Sequence, residues 1–133
     1  LGLHEINGDL YYFRRGGAYK YTQLGDMWQD SINYIDGKIY YFGHDGRAIK
    51  NRFYQWGNYW YYFYADGSAA TGAVQINGQQ LYFDKNHGRQ VKGAFAPDGH
   101  YYDENSGELV TNQTRTIKGV TYHFDENGNA TKV

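Results

Sequence analysis

Self-similarity constrains this chain more than any other feature. An aromatic block recurs six times, at Tyr11-Tyr12-Phe13, Tyr40-Tyr41-Phe42, Tyr61-Tyr62-Phe63, Leu81-Tyr82-Phe83, Tyr101-Tyr102-Asp103 and Tyr122-His123-Phe124. Successive third positions lie 29, 21, 20, 20 and 21 residues apart. A turn dipeptide or a variant of it precedes each block: Asn7-Gly8, Asp36-Gly37, Gly57-Asn58, Asn77-Gly78, Asp98-Gly99 and Lys118-Gly119. A second glycine follows each third position by four or five residues, at Gly17, Gly46, Gly67, Gly88, Gly107 and Gly128. Three periodic features in one register identify a repeat protein with units of about 21 residues.

Local chemistry then predicts what each unit is. Asn-Gly and Asp-Gly between apolar alternations mark two-residue hairpins, because both central residues of a type I′ turn need φ > 0. The segment from Val74 through Asn77-Gly78 to Phe83 reads as strand, tight turn, strand, and Ile35 to Phe42 repeats it. Within each block the first Tyr and the Phe share one face of the strand and the second Tyr takes the other, so aromatics line both faces. No window sustains a 3.6-residue period, so no helix is expected. A lone hairpin cannot bury two faces, whereas stacked neighbours can. The expected fold is therefore all-β, a β-solenoid of six stacked hairpins forming one repeat domain over residues 1–133. The long first interval places an enlarged unit or a degenerate extra hairpin at 20–33.

Composition sets the style of the core and removes several functions. Leu, Ile, Val and Phe make up only about 19% of the chain, while Trp, Tyr and Phe make up 20%, sixteen of them Tyr. Tyrosine must supply much of the buried apolar area, and each phenol asks for a hydrogen-bond partner. The 13 basic and 14 acidic residues nearly cancel, which leaves no attraction for nucleic acid or anionic lipid. No apolar run is long enough to span a membrane. Without Cys there is neither disulfide nor thiolate metal site. The chain begins at Leu1, which reads as a piece excised from something longer.

Catalytic chemistry finds little support. Asp36, Asp45, Asp66 and Asp98 each precede a Gly, where turn geometry explains them. His4, His44, His87, His100 and His123 show no metal-ligand spacing, and the nonapeptide calcium-roll pattern is absent. Another periodic position is more suggestive. Lys50-Asn51, Thr71-Gly72, Lys92-Gly93 and Thr111-Asn112 form a recurring Lys/Thr-Gly/Asn pair beside the aromatic strands. A hydrogen-bond donor next to a flat apolar ring suits a neutral sugar, whose C–H face packs on the ring while its hydroxyls seek polar partners.

The run from Tyr61 through Asp66-Gly67, Thr71-Gly72 and Asn77-Gly78 to Asp84, continued by Gly88 to Phe95, resembles the glucan-binding, or cell-wall-binding, YG-type repeat of bacterial glucansucrases. The resemblance covers essentially the whole chain. Related repeats occur in clostridial toxin tails and choline-binding surface proteins. Choline-type repeats open on Gly-Trp and are rich in Trp. Here only Trp28, Trp56 and Trp60 occur and no Gly-Trp pair exists, which disfavours choline.

The resemblance implies a non-catalytic module binding α-glucan of the dextran type, as polysaccharide or oligosaccharide, without cofactor or metal. A monomer is expected, secreted or attached to a bacterial surface. The implied pocket uses Tyr82 as a partly exposed sugar platform, with Gln75, Gln90 and Lys92 as hydrogen-bonding groups and Thr71 and Tyr62 from the preceding unit. A second set is Tyr41, Lys50 and Gln55 with Tyr62. Phe83 is expected in the core. Alternatives are a toxin-type repeat recognising host-cell glycans and a structural cell-wall spacer.

Overall fold

The computed structural model of the chain describes residues 2–14, 26–27 and 31–133. Most of the region 20–33, where the longest interval predicts an extra element, lies outside the described residues. The architecture is the expected all-β stack of hairpins, and no helix occurs among the described residues. Two compact units divide it, Leu1–Ala70 and Thr71–Val133.

The first unit holds three antiparallel hairpins: β1 (Gly2–Ile6) with β2 (Asp9–Arg14), β4 (Ser31–Ile35) with β5 (Lys38–Phe42), and β6 (Arg52–Trp56) with β7 (Tyr59–Phe63). A two-residue strand, β3 (Asp26–Met27), pairs with β2 through Phe13 and Met27. The second unit holds β8 (Gly72–Ile76) with β9 (Gln79–Phe83), β10 (Ala94–Phe95) with β11 (Tyr101–Tyr102), and β12 (Gln113–Ile117) with β13 (Val120–Phe124), to which β14 (Ala130–Lys132) adds.

The turns follow their residues. Asn7-Gly8, Asp36-Gly37, Asn77-Gly78 and Lys118-Gly119 have positive φ at both places, as type I′ demands. At Gly57-Asn58 only the glycine does. The fifth turn is one residue longer: the Gly99 amide donates to the Ala96 carbonyl at 2.9 Å and the Ala96 amide to His100 at 2.9 Å. Pro97 and Asp98 thus occupy the centre of a turn closed by Gly99 at φ +86°, a three-residue loop with a glycine bulge.

That extra residue corrects the alignment of the fifth block. Phe42, Phe63 and Phe83 each bridge the returning chain, at Ala48, Ala69 and Gln90, and the residue bridging Leu109 is Tyr102, not Asp103. The amides of Ile49, Ala70, Val91 and Val110 donate to Tyr41, Tyr62, Tyr82 and Tyr101. Tyr101 therefore stands where Tyr82 stands one unit earlier, and Tyr102 takes the place of Phe83. Asn51, Gly72, Gly93 and Asn112, the second members of the Lys/Thr-Gly/Asn pairs, all have positive φ. They are the left-handed links that lead into the next strand, a position suited to Gly and Asn.

Alternate side chains of one strand reach different cores. Tyr40 and Phe42 pack with Ile35 and Ala48, against Leu3 and Leu10 of the first hairpin. Tyr41 instead joins Tyr61, Phe63 and Ala69 of the third. In the second unit Tyr82 packs with Ala96 and Tyr102, and Tyr101 with Val110 and Phe124. Tyr41, Tyr82 and Tyr101 are thus rings that the following hairpin covers.

Backbone amides tie consecutive hairpins together. In the first unit Ala48 donates to Leu10 and Ala69 to Ile39, both at 2.8 Å, and in the second Leu109 donates to Gln80 at 2.8 Å. Loop glycines also sit in close quarters between repeats. A Cβ on Gly67 would meet Leu10 Cδ2 at 3.3 Å, and one on Gly128 would meet Leu109 Cδ1 at 2.8 Å.

Candidate functional site

Both units contain an open cavity with aromatic side chains or a single ring in its lining. In the second, a space of about 380 Å³ is lined by Phe95, Tyr101, Tyr122, Ile117, Lys118 and Val120, together with Gly93 and Ala94. Strand alternation builds it. Tyr122 and Val120 share one face of β13, the face from which Tyr122 reaches Phe95 on β10. The Phe95 ring meets those of Tyr101 and Tyr122 at 5.2 Å each, tilted by 67° and 64°. Tyr101 is buried, but Phe95 keeps 39% of its surface exposed, as does Val120.

Lys118 enters this lining by an unusual route. It fills the first turn place, at φ 50°, that Asn7, Asp36 and Asn77 fill elsewhere. Left-handed backbone strains a long side chain that Asn or Asp would accommodate. Lys118 is exposed and lines the cavity, so the lining combines apolar rings with a residue that carries a charged donor.

The first unit's cavity, about 610 Å³, is lined by Asp9, His44, Asp45, Arg47, Lys50, Arg52 and Tyr54 among others. Arg47 Nε donates to Asp45 at 2.5 Å, and its Nη1 reaches Asp9 at 3.4 Å. The Arg47 amide and guanidinium both hold the Asp45 carboxyl below its ordinary range. Lys50 Nζ donates to the Gly8 carbonyl at 2.6 Å. Arg52 lies over the Tyr54 ring, 5.9 Å from its centroid, and Tyr41 packs against that ring with centroids 4.7 Å apart and planes tilted by 37°.

The residues expected to form a sugar pocket are not all placed for it. Tyr62 belongs to the first unit, half-buried, with Phe53 at 4.8 Å and Tyr64 at 5.6 Å. In the second unit Thr71 and Gln75 are exposed, and Gln75 shares the face of Tyr82 but at the turn end of the hairpin. Tyr82 departs from expectation: it is 2% exposed, because Ala96 and Tyr102 of the next hairpin cover it. Burial, then the nearby Asp98 and Asp84 carboxylates, push its phenol pKa upward. Phe83, as expected, is fully buried. Gln90 and Lys92 are half-buried beneath Gly107: a Cβ there would collide with Gln90 Nε2 and meet Lys92 Cγ at 3.3 Å.

The second expected set is split between two faces. Tyr41 is core, Lys50 lines the first cavity, and Gln55 alternates away from Tyr54 onto the opposite face of β6. Phe95, Lys118, Val120 and Tyr122 were not singled out by sequence reasoning. One visible signal pointed to them, the Lys standing where other repeats put Asn or Asp. Among the described residues no three His, Asp or Glu side chains gather as a metal site.

Comparison with known proteins places these features in a family. Residues 70–113 match the choline-binding repeat, and residues 51–69 and 115–130 match a cell wall binding repeat. The chain is 35% identical over 154 aligned residues to Glucosyltransferase-S of Streptococcus mutans, covering 96% of this chain and 10% of that protein. It is 42% identical over 131 residues to Glucosyltransferase-I of Streptococcus downei, covering 95% and 7%. The chain thus spans about a tenth or less of the relatives it matches. Among solved structures, choline binding protein F from Streptococcus pneumoniae superposes with a TM-score of 0.75 at 24% identity, over 98% of this chain and 44% of that one.

Proposed function

We propose that this chain, which belongs to the glucan- and cell-wall-binding repeat family, is a non-catalytic carbohydrate-binding module whose ligand is an α-glucan. One observation carries the reading: Phe95, which is exposed, lines one cavity in the second unit with Tyr122 and Lys118. A pyranose presents a C–H face and a rim of hydroxyls. The C–H face stacks on Phe95 or Tyr122, and a rim hydroxyl accepts from Lys118. In this reading the stacking role assigned to Tyr82 passes to Phe95 and Tyr122, while Thr71 and Gln75 remain exposed polar groups available to a chain of sugars.

The likeness to streptococcal glucosyltransferases supports an α-glucan as the polymer and an extracellular or cell-surface setting. A single such contact is weak, and a polymer engaging several modules gains strength through effective concentration.

Native gel migration with dextran embedded in the matrix tests the proposal. The wild-type chain is expected to be retarded. Phe95→Ala should lose most of that retardation, by a stacking loss of roughly 1–3 kcal/mol if a sugar on a ring matches a base on a ring. Wild-type migration indifferent to dextran would overturn the α-glucan reading.

A further inference from the structure

The cavity of the first unit has a different chemistry. Arg47 is held by two carboxylates, Asp45 at 2.5 Å and Asp9 at 3.4 Å. Lys50 and Arg52 line the same space, and neither has a carboxylate within ion-pair reach among the described residues. Lys50 spends one of its three donors on the Gly8 carbonyl at 2.6 Å. Arg52 rests on the Tyr54 ring, which is itself backed by Tyr41. A guanidinium laid on an aromatic face is oriented by it and keeps its N–H fork for a planar or tetrahedral anion.

We infer that this cavity is a second binding site, separate from the α-glucan reading, and that it takes a phosphate-bearing sugar. Lys50 and Arg52 meet the phosphate. Asp9, on the same lining, offers carboxylate acceptors for hydroxyls, which a bare anion does not possess. The carboxylates of Asp9 and Asp45 oppose a small dianion, so the surroundings select a ligand that brings hydroxyl donors together with its charge. The volume of about 610 Å³ lies in the range of small-molecule sites, roughly 300–1,000 Å³.

The experiment is a heteronuclear NMR titration of the isotope-labelled chain with glucose 6-phosphate, glucose and inorganic phosphate in turn. Glucose 6-phosphate is expected to shift the amides of 43–54 and the Arg52 Nε–H resonance, with an affinity at least tenfold above that of glucose. Arg52→Gln, at an exposed position, should weaken it at least fivefold, and Lys50→Gln should do likewise. Both variants should keep the dispersion of the folded spectrum, and Arg52→Gln its retardation by dextran. The inference is overturned if glucose binds the same residues as tightly, if inorganic phosphate matches the phosphosugar, or if neither variant changes the affinity. Loss of dextran retardation in the wild type would instead count against the α-glucan reading and leave this titration unaffected.

Discussion

Arg115 of β12 donates through Nη1 to Asp103 Oδ1 at 2.9 Å, and so binds the sixth hairpin to the loop that closes the fifth. The other carboxylate oxygen accepts the amides of Asn105 and Ser106, each at 2.8 Å. Those backbone bonds first, and Arg115 after them, bring the Asp103 pKa down to about 2. Since the folded value lies below the unfolded one, this stabilisation is complete above the unfolded pKa, about 4, and disappears as pH falls towards 2. Urea unfolding at pH 6, 4 and 2 should show Asp103→Asn less stable than wild type at pH 6, with the gap closing by pH 2. A gap independent of pH would show that the charge contributes nothing.

Tyr82 and Phe83 should now behave alike. Both are buried, Tyr82 under Ala96 and Tyr102 and Phe83 with no exposed surface. Phe83→Ala should cost about 3–5 kcal/mol, and Tyr82→Ala on the order of 3 kcal/mol as a core deletion. Thermal melting of both variants decides the matter. A Tyr82→Ala protein that melts with the wild type would restore Tyr82 as an accessible platform.

Two glycines separate backbone strain from crowding. Gly78 has φ +81° and nothing within 4 Å of a Cβ, whereas Gly128 has φ +84° and Leu109 Cδ1 at 2.8 Å. Gly78→Val should cost about 1–3 kcal/mol, from strained backbone alone. Gly128→Ala should lose more than Gly78→Ala, by about 1–3 kcal/mol of overpacking. Hydrogen exchange should locate the Gly128→Ala damage in the hairpins that carry Leu109 and His100. Equal losses at both glycines would mean that the joint tolerates a methyl group.

Lys118→Asn should raise stability while lowering dextran retardation. Asn accepts the left-handed turn position that Lys occupies under strain, a gain of roughly 0.5–1 kcal/mol out of the 1–2 kcal/mol that such a conformation costs. A variant that is more stable yet binds dextran as well as wild type would remove Lys118 from the site.

The turns were legible because their chemistry is local: Asn77 and Gly78 need no distant partner to prefer positive φ. The alternation that sends Tyr40 and Tyr41 to different cores follows from strand geometry in the same way. The register of the fifth block is hidden in the sequence, because its Tyr-Tyr-Asp run resembles the other blocks while an extra turn residue shifts it by one place. Pro97, the only proline in the chain, marks where the register slips. The exposure of Tyr82 was not legible at all. It is set by Ala96 and Tyr102, fourteen and twenty residues further along the chain, and no local pattern states how closely the next hairpin settles.

The amide that Ala69 donates to Ile39, like that from Leu109 to Gln80, uses only main-chain atoms and joins one repeat to its predecessor. Such a joint is indifferent to which copy of the repeat supplies either half. Recombination that adds or drops a whole copy leaves every remaining joint with the same donor and acceptor, whereas a break inside a copy disrupts two of them. Valency can therefore drift in evolution, while the ring contacts that neighbouring hairpins share, such as Tyr41 with Tyr61 or Phe95 with Tyr122, stay under joint selection.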